Sequence, residues 1–560
     1  MDFFKEKDMT EELKIRCKNN DKQVEVPFGS TLYEIYAQCE LQMEYGPVVA
    51  LVNNKVKDMS YRFYNNKDVY FLDLHTQAGL RAYTRSLVLV LAKAVEDLYP
   101  HGQILMGSRV CRGFYCELRI GRPVAKDDII AIKGKMQEIV DADMPIQRIQ
   151  CPIEEAKQLF QERGMKSKVE LLNSQDILYT DYYQLEQTVD YFYGPLLTHT
   201  GLLTLFDVVP LYDGLLLRIP SKKDPSRLEE LVPQPKMLEV IREHNRWQDI
   251  IGVRTVGELN AAVMAGKAAE IINVSEALQE KKLSRMSDEI EARHARLVLI
   301  AGPSSSGKTT TSKRLAVQML ACGLRPYILS TDDYFVNRVD TPLDENGEYD
   351  FECIGAVDTA FFNQQMNELL QGKEVELPRY DFPSGKRVFE GRKLQIGPQD
   401  IIILEGNHAL NPILTQQIPE EQKFRIFVSP LTTVMLDGHN HIPTDDVRLL
   451  RRILRDFKYR GYSALQTIHR CPSVTAGEEK WIFPFQESAD VTFNSALLYE
   501  LAVIKDQVMP ILDQVSEREP EYAEASRLRK FLRYFRGVPG DQVPPTSLLR
   551  EFAGGSSFKY

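Results

Sequence analysis

Residues 302–309 read Gly-Pro-Ser-Ser-Ser-Gly-Lys-Thr, an unbroken G-x-x-x-x-G-K-[ST]. A bound polyphosphate asks for that spacing. Glycines let the backbone curl until several N–H groups converge on one anion, and a helix beginning just beyond aims the positive end of its dipole at it. Lys308 is placed to reach the β- and γ-phosphates, and the Thr309 hydroxyl to ligate Mg²⁺. The motif therefore predicts an ATP site built from Gly302, Pro303, Ser304, Ser305, Ser306, Gly307, Lys308, Thr309 and Thr310. ATP is the nucleotide expected here, with GTP left open, and Mg²⁺ is its expected metal.

The flanking elements fit this placement. Leu297–Ala301 is an apolar run too short for a helix, which suits a buried parallel strand. After the loop, Leu315, Val317, Met319 and Leu320 give an amphipathic helix. Two further apolar runs end in acids: residues 326–330 lead to Asp332, and residues 400–404 lead to Glu405. In an open parallel sheet the carboxyl ends of strands face the ligand crevice, so both carboxylates point towards the phosphates. Glu405 is assigned to Mg²⁺, directly or through water. Downstream, Leu450, Ile453, Leu454 and Phe457 fall on one helical face, while Arg448, Arg452 and Arg455 line another. One face is expected to pack and the other to stay basic.

At these residues the chain resembles the uridine kinase and phosphoribulokinase family, from about Arg296 to at least Ile504. The resemblance implies that Asp332 accepts the proton of the hydroxyl being phosphorylated, with Phe335 just beyond it in the substrate pocket. It implies that Asp350 binds ribose hydroxyls while Tyr349 packs on the base, and that Tyr380, in VELPRYDFPSGKR, is a further aromatic contact. It also implies a mobile lid in which Arg452 contacts the substrate and Arg455 and Arg460 contact the phosphates. Two positions depart from the family. Gly385 stands where uridine and cytidine kinases carry a base-reading histidine, and Tyr462 replaces the arginine that follows R-G.

The front of the chain resembles another family. Short apolar strands at residues 13–17, 24–26, 48–52 and 69–74 surround a helix opened by a Thr31 to Glu34 capping box, with Asn53-Asn54 as a turn. This is similar to the TGS domain, a β-grasp module of threonyl-tRNA synthetases and some GTPases. Residues 79–220 resemble the synthetases' editing domain, but the editing groups are absent. Tyr83 and Leu87 stand at its H-x-x-x-H, and Phe192-Tyr193-Gly194-Pro195-Leu196 at its C-R-G-P-H. Phenol, phenyl and isobutyl groups replace neither metal ligation nor proton transfer. That argues against an aminoacyl-tRNA deacylase; His199, just beyond, reads as structural or solvent-facing. Residues 221–293 read as helical, with Pro233 and Pro235 in a linker, a capping box at Thr255 to Glu258, a stop at Gly266, and a charged helix from 275 to 293 read as a solvated face.

The fold class expected is multidomain α+β and α/β: a β-grasp domain (1–78), an editing-like domain (79–220), a helical connector (221–293), a parallel-sheet kinase domain (294–515) and a C-terminal helix and tail (516–560). Residues 491–494 read as a strand, 498–511 and 527–535 as helices, and the tail from Val538 as irregular, with residues 556–560 left open to docking. A net charge of −10 argues against bulk electrostatic binding of nucleic acid. Eight cysteines without C-x-x-C read as free thiols, the closest pair, Cys111 and Cys116, bracketing a strand. The charged N-terminus and the absence of an 18-residue apolar run predict a soluble, cytoplasmic protein. The expectation is an ATP-dependent nucleoside kinase. The alternatives are a kinase for another hydroxyl acceptor, such as a phosphorylated sugar, and an ATP-switched protein whose front half binds RNA or a protein partner. A homo-oligomer is an expectation of the resemblance alone.

Overall fold

Alternating burial along Glu12–Cys17 and Lys22–Pro27 marks two strands with one face on a core. They begin the architecture of a computed structural model that describes residues 12–343, 347 and 349–560; the charged residues 1–11 lie outside it. Lys67–Leu72 pairs parallel with the first strand and antiparallel with Val49–Val52, whose hairpin partner is Lys55–Asp58. The helix Leu32–Gln38 closes this β-grasp, and Thr31 and Glu34 form both halves of its capping box. Asn53 and Asn54 take left-handed φ angles of 45° and 58° in the hairpin turn.

The helix Gln77–Leu98 then runs through a second core, buried along most of its length. It packs against a four-stranded antiparallel sheet that joins Gln103–Val110 and Gly113–Arg119 to Asp207–Leu211 and Gly214–Arg218. Cys111 does not bracket a strand with Cys116. It sits in a hairpin turn at φ 53°, because the chain reverses there, and Cys116 lies inside the returning strand. All eight cysteines are free. Tyr83, Leu87, Phe192 and Leu196, which stand where editing residues would be, join one apolar cluster.

The connector consists of Pro235–Ile251, Val256–Met264 and Ala268–Ala292. Pro235 is the first helical residue rather than linker, a position where its missing N–H costs nothing. The long charged helix is not simply solvated. Glu276 and Glu280 pair with the buried Arg314 of the phosphate-loop helix, at 3.3 and 2.6 Å.

The second half is built on a five-stranded parallel sheet, in the order Arg325–Ser330, Asp400–Glu405, Leu297–Ala301, Lys423–Ser429, Val491–Asn494. Its central strand is buried throughout, as a strand covered on both faces must be. A two-stranded hairpin, Val375–Asp381 with Lys386–Leu394, stands beside it. The C-terminal helices Glu500–Leu512 and Tyr522–Leu532 complete the packing. The tail is more ordered than its Pro, Gly and Ser content predicts. It contains the helix Arg550–Ala553, and Leu548, Leu549 and Phe552 are fully buried. Three apolar side chains offset the weak local propensity. No helix among the described residues is long and apolar enough to cross a membrane.

Candidate functional site

The loop after Leu297–Ala301 hugs the sheet so closely that a Cβ on Gly302 would lie 2.1 Å from Val428 O. Gly307 has a φ of 91° and begins the helix Lys308–Ala321; Ser305 is also left-handed, at 60°. Lys308 Nζ donates to Gly302 O at 2.9 Å and to Asn407 Oδ1 at 2.8 Å. Burial pushes its pKa down, against the pull of Glu405 and Asp332. Thr309 Oγ1 donates to Glu405 Oε1 at 3.1 Å. Burial, reinforced by Asp332 and opposed by Lys308, raises Glu405 to about 7.

Asp332 lies in the turn Thr331–Tyr334, directly after Arg325–Ser330. Burial raises its pKa, Asp333 adds to the rise, and Lys308 and Arg460 oppose it. The two strand-end carboxylates thus both act on one lysine. A hydroxyl next to a buried carboxylate is a hard-oxygen pair suited to Mg²⁺. No cluster of three or more metal-binding His, Cys, Asp or Glu side chains occurs among the described residues. A cation that takes most of its ligands from phosphates and water needs none, so the residues present fit Mg²⁺.

The helix that the resemblance implies as a lid spans Thr444–Tyr459. Leu450, Ile453 and Leu454 are buried as expected, but Phe457 is 42% exposed; the same last turn meets its neighbours through Lys458, which donates to Gln507 Oε1 and Ala553 O. The basic face is divided among several partners. Arg452 Nη2 donates to Ser304 Oγ of the phosphate loop at 2.7 Å. Arg455 pairs with the adjacent Asp456 at 2.8 Å, and Arg460 approaches the same carboxylate at 3.6 Å. Neither touches the loop in this conformation. Among the substrate positions, Tyr380 is buried and packs edge-on against Phe335, with ring centroids 5.5 Å apart. Tyr349 is 41% exposed and stacks on Phe351; Asp350 Oδ1 accepts from Glu352 N–H at 3.1 Å.

Several residues at the site carry no sequence signal that singles them out. Glu352 accepts from Asn407 Nδ2 at 3.2 Å, which places it one side chain from Lys308. Asn407 follows the strand-end Glu405 by two residues, so the position was open to the same carboxyl-end argument. Glu478, on the helix Ala464–Trp481, accepts from Ser304 N–H at 2.8 Å and pairs with Arg448. Arg451 is fully buried, pairs with Glu500 at 2.5 Å and lies 5.1 Å from the Phe552 ring centroid. The tail reaches the loop itself: Glu551 Oε2 accepts from Thr310 N–H at 3.2 Å and Oγ1 at 2.5 Å, and Tyr560 Oη lies 2.9 Å from Thr310 Oγ1. Nothing in local pattern brings residues 478 and 551 to a loop at 302–310.

Residues 297–500 match the phosphoribulokinase / uridine kinase family. A uridine kinase of Ligilactobacillus salivarius is 30% identical over 196 residues, covering 35% of this chain and 83% of its own length. A uridine kinase of Lactobacillus helveticus is also 30% identical over 196 residues, covering 35% of this chain and 84% of its own. The front half is similar to threonyl-tRNA synthetases. Threonine–tRNA ligase 2 of Bacillus subtilis is 29% identical over 204 residues, covering 36% of this chain. Those residues amount to 31% of the ligase, so the chain spans about a third of that relative's length.

Proposed function

Because residues 297–500 make this chain a member of the phosphoribulokinase / uridine kinase family, we propose that it is an ATP-dependent kinase acting on a nucleoside 5′-hydroxyl. One observation carries the reading: Asp332 and Glu405 follow two adjacent parallel strands, and Glu405 accepts from Thr309, the residue after Lys308, where the complete phosphate loop runs into its helix. The N–H groups from Ser304 to Thr310 hold the donor phosphates. Lys308 exchanges its carbonyl and amide partners for β- and γ-phosphate oxygens. Thr309 and Glu405 would hold Mg²⁺, which when bound would neutralise charge on the transferring group. Asp332 orients the acceptor hydroxyl and takes its proton; Asp350, Tyr349, Tyr380 and Phe335 hold the rest of the acceptor. Arg452, Arg455 and Arg460 are donors for the charge spread over the phosphoryl oxygens once the lid closes, Arg455 and Arg460 turning from Asp456.

The test is ATP consumption by the purified chain against a panel of nucleosides, with Asp332→Asn alongside. Turnover that disappears in the variant supports the reading. Turnover on no nucleoside, with ATP still bound, sinks it.

The same reading divides the chain at about residues 79, 221, 294 and 516, with the front half free of editing chemistry and available for RNA or a protein partner. Similarity to threonyl-tRNA synthetases supports RNA. tRNA affinity that survives Lys308→Ala is expected, and affinity no greater than that of an unrelated acidic protein would rule it out. Gly385 and Tyr462 motivate a competing reading, the same machinery with a non-nucleoside hydroxyl acceptor such as a phosphorylated sugar; a screen of non-nucleoside hydroxyl acceptors decides between them.

A further inference from the structure

Arg338 occupies the space that a side chain at position 385 would need. Gly385 has a φ of +66°, and a Cβ built on it would lie 2.8 Å from Arg338 Cβ and Nε and 2.9 Å from Cζ. Both ends of the arginine are tied to this turn: its N–H donates to Gly385 O at 2.8 Å, and Nη2 donates to Phe382 O at 2.5 Å. Gly385 N–H closes the turn on Asp381 O at 2.8 Å. The guanidinium is thus laid across the end of the hairpin, beside the phenol of Tyr380. Tyr380 sits between Phe335 and Phe382, with centroids at 5.5 and 5.1 Å. Phe335 N–H donates to Asp332 O at 3.3 Å, and Tyr380 N–H to Asp333 Oδ1 at 3.4 Å. An aromatic row therefore runs from the reacting acid to the arginine.

We infer that Arg338 reads the edge of the acceptor's ring farthest from its reacting hydroxyl, and that it selects a base presenting a carbonyl oxygen there, uridine over cytidine. The inference rests on the nucleoside reading above and deepens it. A guanidinium has five N–H donors and no acceptor, and Phe382 O engages only part of that set. Uracil offers O4 as an acceptor where cytosine offers an amino donor. A donor facing a donor leaves both unpaired, and a site built to hydrogen-bond one group discriminates strongly against an analogue lacking it. An imidazole could adapt by changing tautomer; a guanidinium keeps all its protons.

Steady-state kinetics of the full chain on uridine and on cytidine test this. The wild type is expected to favour uridine in kcat/KM by about tenfold or more. Arg338→Gln, whose amide both donates and accepts, is expected to bring the two within about threefold through a higher uridine KM, with kcat retained. Gly385→Ala keeps the arginine but pushes it aside, so it must erode the same preference; thermal unfolding shows whether the hairpin stays folded. Equal use of both nucleosides by the wild type, or an unchanged ratio in Arg338→Gln, overturns the inference and leaves the nucleoside kinase standing. Phosphorylation of neither overturns both.

Discussion

At the residue scale, Lys308 is held by groups that a nucleotide would displace. Gly302 O and Asn407 Oδ1 share its ammonium, and burial depresses its pKa against two neighbouring carboxylates. Lys308→Ala removes the cation that balances Glu405 and Asp332, and kcat/KM is expected to fall by about 10²- to 10³-fold. The unfolding midpoint should stay close to that of the wild type, and retained activity would disprove the role. This part of the site was legible, because the motif sets the lysine by counting from Gly302. Glu352 was not, because its place comes from a side-chain contact with Asn407 across 55 residues of chain.

At the element scale, the phosphate-loop helix has protein carboxylates at the N–H groups meant for an anion. Glu478 takes the N–H of Ser304 in the loop before the helix, and Glu551 takes that of Thr310, a donor that the helix start leaves open. The short helix Arg550–Ala553 is fixed there by Leu548, which would lie 2.7 Å from a Cβ on Gly307, and by Phe552 under Arg451. A carboxylate and a phosphate compete for the same N–H. Glu551→Gln removes the charge and keeps the shape, so KM for ATP is expected to drop about three- to tenfold with little change in kcat. An unchanged or higher KM would show that Glu551 supports the site instead. Strand, loop and helix were legible because apolar runs and glycines mark them. The tail was not, because Pro, Gly and Ser are frequent in it and its buried apolar side chains, Val538, Val543, Leu548, Leu549 and Phe552, follow no regular period.

At the scale of the whole molecule, the front half and the catalytic half are joined by buried charge. Lys168 and Asp190 from the front meet Asp437 and His439 from the kinase half, and Arg81 pairs with Glu524 at 2.9 Å. Burial works to raise Asp190, but Lys168 and His439 outweigh it and hold it at about 2. Lys168→Met leaves two buried carboxylates without their cation and should cost roughly 3–5 kcal/mol in denaturant unfolding; a loss below about 1 kcal/mol would mean that the junction relaxes. Close by, His441 of the kinase half packs against Phe114 of the front half, with ring centroids 4.8 Å apart. Burial pushes its pKa to about 4; Asp446 opposes the shift, while Arg85, Arg109 and Arg81 add to it. In the unfolded chain the imidazole titrates near 6.5, so below that pH the unfolded state binds the extra proton. This contribution is complete above pH 6.5 and is lost as pH falls from 6.5 through 4, for a total of about 3 kcal/mol. Between those limits, unfolding free energy should fall with pH more steeply in the wild type than in His441→Gln, by up to about 1.4 kcal/mol per pH unit. Parallel slopes would mean that His441 takes its proton without disturbing the contact between the halves.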